Sequence, residues 1–340
     1  MGNKKMKNKI LLKQEVIDVI DGKKSPRRVP STFLIWPPLP NKNIFRQIKV
    51  LLKNRSDIKL YYPACYIKPL LKGCINLGFD TSVKKTEAKD ANIKIADYDQ
   101  LDNFLAKSAQ PEKLFCHPVP KSRYYKLGIL WNCIFETFWQ VRGMTNTLMD
   151  FYLNPAGIHK AFRGITDFYK AMVVKYKKRG KCDGILITDD LGTQTSTFFS
   201  NEIFREFFLP YYKEIADVAH ENGMHLWFHS CGCVTNFIPM FIEAGIDVLH
   251  PIQKYAMNEI EVFEKYKDKI TFLYGFDVQQ TIPFGSPCDV KNEVHRVFDL
   301  FSQAKGRFIF TSGNTVEKNC PIESYEMLVN EARKYNPYKK

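Results

Sequence analysis

The residues best placed to do chemistry are His229 and Cys231, in the run His-Ser-Cys-Gly-Cys that follows the apolar stretch His225-Leu-Trp-Phe228. On an extended chain successive side chains alternate, so residues two apart point the same way. An imidazole nitrogen and a thiolate sulfur on one face suit Zn²⁺, whose ligands are N and S and whose catalytic sites keep one position open. The same residues are also compatible with a buried histidine bonded to backbone beside free thiols. A second feature is Asp189-Asp190, directly after the apolar run Gly184-Ile-Leu-Ile-Thr188. Adjacent strand residues face opposite ways. One of the two aspartates can therefore enter a pocket as acid, base or anchor for a cationic group, while the other caps the following turn.

Polar groups also follow three further apolar runs. Ile246-Asp-Val-Leu249 leads to His250-Pro-Ile-Gln253, Ile270 to Tyr274 leads to Gly275-Phe-Asp277, and Arg307 to Thr311 leads to Ser312-Gly-Asn314. With Gln194 after the aspartates, five consecutive strand ends carry side chains able to hold or activate a ligand, which a shared pocket explains better than five separate helix caps. The candidate catalytic residues are Asp189, Asp190 and Asp277. The candidate substrate contacts are Gln194, Gln253, Asn314 and Glu136, the last at the start of a helical run over 136–152.

The elements that must position these groups form a regular pattern from about residue 125. Short β-like runs alternate with helical ones: 125–131 with 136–152, 184–188 with 202–221, 225–228 with 237–243, 246–249 with 260–266, 270–274 with 290–303, and 307–311 with 323–334. Such alternation means βαβ units and a parallel sheet, and strands apolar throughout are buried on both faces. In a barrel of this kind the chemistry gathers where strands end and βα loops begin. Upstream, Ile10 to Ile20 keeps helical spacing and stops at Gly22, and Arg28 to Trp36 reads as a first strand. The stretch 37–120 is rich in Pro, Lys and aromatic residues without a clean period, and reads as elaborated loops and short helices. The expected architecture is a (β/α)₈ TIM barrel with an elaborated N-terminal region, one domain over 1–340, with its first helix within 1–24.

Composition narrows the function class. The chain has 340 residues, 45% hydrophobic and 25% charged, with a net charge of 50 − 36 = +14. That is enough apolar material for a large core and excludes wholesale disorder. The basic residues are scattered in short groups with no reading motif among them, so a solvated lysine-rich surface is expected rather than a nucleic-acid partner. No run approaches a membrane span, and the basic start lacks a secretory core. Nine cysteines, an odd number with no CxxC pair, then fit reduced thiols in a cytoplasmic protein. P-loop, dinucleotide-binding and GxSxG signatures are absent.

Several motifs in order resemble the uroporphyrinogen decarboxylase superfamily: Asp189-Asp-Leu-Gly-Thr-Gln194, Phe204-Arg-Glu-Phe-Phe-Leu-Pro-Tyr-Tyr212, His229-Ser-Cys-Gly232, Glu243-Ala-Gly-Ile-Asp-Val-Leu249 with Pro251-Ile-Gln253, and Gly275-Phe-Asp-Val-Gln279 with Pro283-Phe-Gly-Ser-Pro287. The resemblance implies a (β/α)₈ barrel. True decarboxylases of the superfamily carry an arginine-rich segment near the N-terminus, where this chain has Phe33-Leu-Ile-Trp-Pro-Pro38. The chain is more similar to the cobalamin-dependent methyltransferase branch, typified by methylcobalamin:coenzyme M methyltransferase. Those enzymes bind zinc through a His-x-Cys pair and a later Cys, and His229 and Cys231 match the pair. The later Cys aligns with Asn314, leaving Cys320 as the substitute third ligand. The resemblance thus implies zinc, a corrinoid protein carrying cobalamin as partner, and a small-molecule methyl acceptor. The alternatives are a zinc-free lyase acting on a carboxylated substrate, and a corrinoid-protein-binding module without activity.

Overall fold

A computed structural model of the chain describes residues 10–36, 38–63, 79, 90, 93–108 and 110–339. Its eight strands belong to one parallel sheet with helices between successive strands, which is the (β/α)₈ barrel class. The chain divides into two compact units, Met1–Leu60, Ser122–Lys126 and Asp247–Lys340 in one, Tyr61–Lys121 and Leu127–Ile246 in the other.

The first unit begins with helix α1 (Lys13–Ile20), strand β1 (Ser31–Thr32), helix α2 (Ile44–Lys53) and strand β2 (Lys59–Tyr61), which runs into the second unit. It resumes with β6 (Val248–His250), helix α10 (Glu259–Tyr266), β7 (Thr271–Gly275), α11 (Thr281–Phe284), α12 (Pro287–Phe301), β8 (Phe308–Thr311) and α13 (Ile322–Lys334). Here β1 pairs with β8, β8 with β7 and β7 with β6, all parallel. Phe308 and Phe310 pack edge-on against Phe298 of α12. Since side chains alternate, Ile309 and Thr311 face the other side of the sheet. The first strand is much shorter than the run 28–36 suggested: Arg28 ahead of it is held in an ion cluster, and Phe33 N–H beyond it bonds the Ser56 hydroxyl instead of a ladder partner. Buried Asp57 accepts from Arg28 and Arg333, each at 2.7 Å, and from the backbone N–H groups of Leu11 and Ser31. Burial alone would raise its pKa, but the two guanidinium groups hold the carboxyl below its ordinary range.

The second unit contains α3 (Leu101–Ser108), β3 (Lys126–Leu130, its first residue in the first unit), α4 (Ile134–Arg142), α5 (Met144–Leu153), α6 (Pro155–Lys175), β4 (Gly184–Thr188), α7 (Asn201–Phe207), α8 (Leu209–Glu221), β5 (His225–His229) and α9 (Ile238–Glu243). Strand β4 pairs in parallel with both β3 and β5, and Thr188 stands opposite His229. The helical run over 136–152 is two helices because Gly143 takes φ +87°, a left-handed geometry that glycine adopts at no cost. Helices α6 and α7 start on side-chain caps: the Asn154 amide oxygen accepts from Gly157 N–H and the Ser200 hydroxyl from Ile203 N–H. An aromatic core holds the helices to the strands. Phe199 stacks on Phe208 at 4.6 Å, and Phe228 meets Tyr212 and Phe241 at 5.1 and 4.8 Å. Phe228 therefore faces the helices, and its neighbours Trp227 and His229 face the opposite side of β5. Much of the expected elaborated region 37–120, and the basic start of the chain, lie outside the described residues. Within that region α2, β2 and α3 are regular elements.

Candidate metal centre

The turn after β4 and the turn after β5 meet in the second unit and build the site. Gly232 (φ +87°) lies so close to Gly192 that an added Cβ would come within 2.4 Å of its carbonyl. The two loops are also joined by bonds from Cys233 N–H to Thr193 O (2.7 Å) and from Leu191 N–H to the Ser230 hydroxyl (3.0 Å). This zipper brings Asp190, His229 and Cys231 together, with their ligand atoms all within 4.8 Å of one another. His229 Nε2 stands 3.4 Å from Cys231 Sγ and 3.5 Å from Asp190 Oδ1. Ligands at zinc bond lengths and the tetrahedral angle would be separated by about 3.5 Å for N···S and about 3.4 Å for N···O, so the donor types and both distances from His229 fit that ion. Asp190 Oδ1 also accepts the Cys231 backbone N–H at 2.9 Å, which fixes the two loops in register. Burial lowers the His229 pKa against the pull of Asp190, so the ring is neutral and able to ligate near neutral pH.

Asp189 does a different job. It is fully buried and accepts from the N–H groups of Phe135 (2.9 Å) and Glu136 (2.7 Å) at the start of α4 and from the Tyr212 hydroxyl (2.6 Å) on α8. It thus caps a helix of the preceding βα unit and welds it to α8. Burial pushes its carboxyl up to about 7 against the pull of these donors. Glu136, placed by that cap, accepts from the Thr188 hydroxyl at 3.5 Å. Burial, then the charges of Asp190 and Asp189, raise its pKa well above the usual carboxylate range. Gln194 is exposed on the turn that follows Asp190.

The remaining candidates belong to the first unit. Asp277 caps the short α11, accepting from the N–H groups of Gln279, Gln280 and Thr281, from the Thr281 hydroxyl, and from Tyr255 OH at 3.2 Å. Although burial opposes them, these donors hold its carboxyl below its ordinary range. The Gln253 carbonyl closes a turn onto Ala256 and Met257, and Asn314 is half-buried in the loop after β8. The Cys320 thiol donates to Ile282 O at 3.4 Å, and burial raises its pKa to about 11. Next to this set, His250 at the end of β6 stacks on Trp36, ring centres 4.1 Å apart. Neither was a sequence candidate beyond its place at a strand end. The seven described cysteines are free thiols.

The sequence model of the family described as uroporphyrinogen decarboxylase matches residues 133–335. Among solved structures, a methyltransferase from Methanosarcina mazei aligns over 96% of this chain and 99% of its own at 12% identity, with a TM-score of 0.60. A psychrophilic glycoside hydrolase family 10 endo-β-1,4-xylanase aligns over 96% and 100% at 12% identity, TM-score 0.45. A 3-keto-D-glucoside 4-epimerase from E. coli aligns over 91% and 99% at 10% identity, TM-score 0.44. At these identities the likeness concerns the fold. No protein of curated function matches the chain. No described helix is long and apolar enough to cross a membrane.

Proposed function

Since the chain belongs to the uroporphyrinogen decarboxylase family, we propose that it is a methyltransferase which moves a methyl group from methyl-cobalamin, carried on a corrinoid protein, to the thiol of a small acceptor. The observation that carries this reading is the triad Asp190, His229 and Cys231, in which the His229 nitrogen stands at tetrahedral zinc spacings from a sulfur and an oxygen donor. The name of the Methanosarcina mazei structure gives it further support. Zinc held there would act as a Lewis acid that lowers the pKa of an acceptor thiol. Three protein ligands would leave a fourth position open for that thiol. Methyl-cobalamin on the partner would supply the methyl group as an electrophile, the S–C bond forming as the C–Co bond broke with its pair left on cobalt and the thiol proton passed to solvent or a nearby base.

The protein's own residues have separable roles. Asp190 would hold the ion and, through the Cys231 N–H, sets the distance between the two loops. Asp189 ligates nothing and fixes α4, so that Glu136 stays beside Asp190. Glu136, held toward its protonated form, adds no second negative charge there. With Asp190 as the carboxylate ligand, Cys320 is left as a buried thiol bonded to a carbonyl. The test is turnover with methylcobalamin and a panel of small thiols, followed by the loss of the methyl-cobalt absorbance. Zinc-dependent methylation abolished in Cys231→Ser supports the proposal. Zinc-independent decarboxylation of a carboxylated substrate, with no methyl transfer, refutes it in favour of a lyase.

A further inference from the structure

Helix α2 (Ile44–Lys53) is oriented against the usual rule for a surface helix, which buries its apolar stripe and turns its polar face to water. At 3.6 residues per turn, Ile44, Phe45, Ile48, Leu51 and Leu52 share one arc of about 120°. Yet the residues the helix buries are Gln47 and Val50, on a different side. Polar bonds fix that orientation. The Gln47 amide donates to Leu39 O at 3.3 Å, and the amide of Asn54, just past the helix, to Asn330 of α13 at 3.1 Å. Arg46 bridges Glu323 and Glu326 of α13 at 2.7 and 2.5 Å. The apolar arc is thereby left outside: Phe45 is 85% exposed, Leu52 68% and Ile48 45%. These three stand at i, i+3 and i+7 and line one continuous stripe.

The charges beside the stripe indicate what covers it. From Gly22 to Ser56 the chain has no acidic residue. Lys49 and Lys53 border the stripe, with Lys42 before the helix and Arg55 after it, all four exposed. Among the described residues, Arg46 is the helix cation that finds carboxylate partners. A second copy of the chain would bring like charges together, which disfavours that pairing. Three side chains also cover far less than the about 800 Å² that each partner gives to a stable protein interface. A lipid surface requires neither that area nor a matching shape. Apolar side chains of a basic amphipathic helix enter the boundary of headgroups and acyl chains, and the flanking cations meet anionic headgroups.

We propose that α2 lies on an anionic lipid surface and anchors the protein there peripherally, with Phe45, Ile48 and Leu52 in the headgroup layer and Lys49 and Lys53 against the lipid anions. The inference does not depend on the metal centre or on methyl transfer. The test is co-sedimentation of the full chain with vesicles of about 30% phosphatidylserine in phosphatidylcholine, against pure phosphatidylcholine, at about 0.1 M salt where charges within about 10 Å still interact. The expected result is saturable binding to the anionic vesicles, weaker by about tenfold or more in Phe45→Ser/Leu52→Ser and weaker also in Lys49→Gln/Lys53→Gln or on pure phosphatidylcholine. Binding should be unchanged in Lys178→Gln/Arg179→Gln, an exposed basic pair in the other unit. Melting curves establish that each variant folds. The proposal is overturned by no binding to anionic vesicles, by binding that survives Phe45→Ser/Leu52→Ser, or by equal loss in the control pair. A dimer of the lipid-free chain that Phe45→Ser/Leu52→Ser dissolves would assign the stripe to a second copy and overturn it as well.

Discussion

Replacing Tyr212 by Phe separates the two adjacent aspartates. The Tyr212 ring is fully buried against Phe228 and its hydroxyl donates to Asp189 Oδ2 at 2.6 Å. Phe keeps the ring and its packing and removes that one bond. At pH 8, above the value of about 7 to which burial pushes Asp189, the lost bond is to a buried carboxylate and costs about 1.5–3 kcal/mol. Over 340 residues the unfolding entropy is about 0.7 kcal/mol per degree, so the melting temperature should fall by about 2–4 °C. The assay is calorimetric melting at pH 8, paired with zinc content after dialysis against added zinc. Tyr212→Phe should melt lower yet keep its zinc, because Asp189 is a structural cap. Asp190→Asn should melt close to wild type, its side chain being 41% exposed, yet bind zinc at least about tenfold more weakly, as loss of a ligand must exceed loss of an outer-shell contact. The reasoning fails if Tyr212→Phe loses zinc without losing stability, or if Asp190→Asn does the reverse.

Asp57→Ala leaves Arg28 and Arg333 buried without their carboxylate and should cost about 3–5 kcal/mol, read as a lower midpoint in urea. Because the folded pKa of Asp57 lies below its unfolded value, its contribution is present above about pH 4 and drains as pH falls. The acid limb of the wild-type stability curve should therefore flatten in that variant. His229 is likewise depressed, so its share of stability in metal-free protein is full above about pH 6.5 and falls below it, a slope that His229→Gln should remove. Gly232→Ala forces a Cβ onto Gly192 in a left-handed backbone geometry and should cost more than about 1 kcal/mol and weaken zinc together with stability, seen in melting and metal content. Cys320→Ser should leave zinc occupancy unchanged, since its thiol is spent on Ile282 O.

The alternation from β3 onward was legible because those strands have apolar centres and the helices between them keep an apolar face, whereas β1 (Ser31–Thr32) and β2 (Lys59–Tyr61) are short and β1 is polar. The strand Gly184–Thr188 has the same ends in sequence and structure. The long helix Pro155–Lys175 was not singled out, although Ile158, Phe162, Ile165, Tyr169 and Met172 form its buried stripe, and Asn154-Pro155 marks its start. The breaks at Gly143 and near Phe208 divide runs that looked continuous, since periodicity carries across a one-residue interruption. At the site, His229 is the last residue of β5 and Cys231 lies two residues beyond it, with Sγ 3.4 Å from His229 Nε2. The division of labour between Asp189 and Asp190 was not legible beyond the rule that they diverge. The turn that Asp189 caps begins at Phe135, over fifty residues earlier in the chain, and such a cap is a tertiary fact. The resemblance pointed to Cys320 as third ligand; the carboxylate whose oxygen lies within 4.8 Å of the His229 and Cys231 ligand atoms is Asp190, which the sequence offered as acid, base or anchor.

The measurement that bears most directly on this account is zinc stoichiometry and ligand identity in protein purified without chelator, by elemental analysis and zinc K-edge X-ray absorption. The account predicts about one zinc per chain, with a first shell of one sulfur and two to three nitrogen or oxygen atoms at about 2.0–2.3 Å. The sulfur contribution should vanish in Cys231→Ser and persist in Cys320→Ser. Protein that takes up no zinc when it is supplied, or a shell with two sulfurs of which Cys320→Ser removes one, would contradict it.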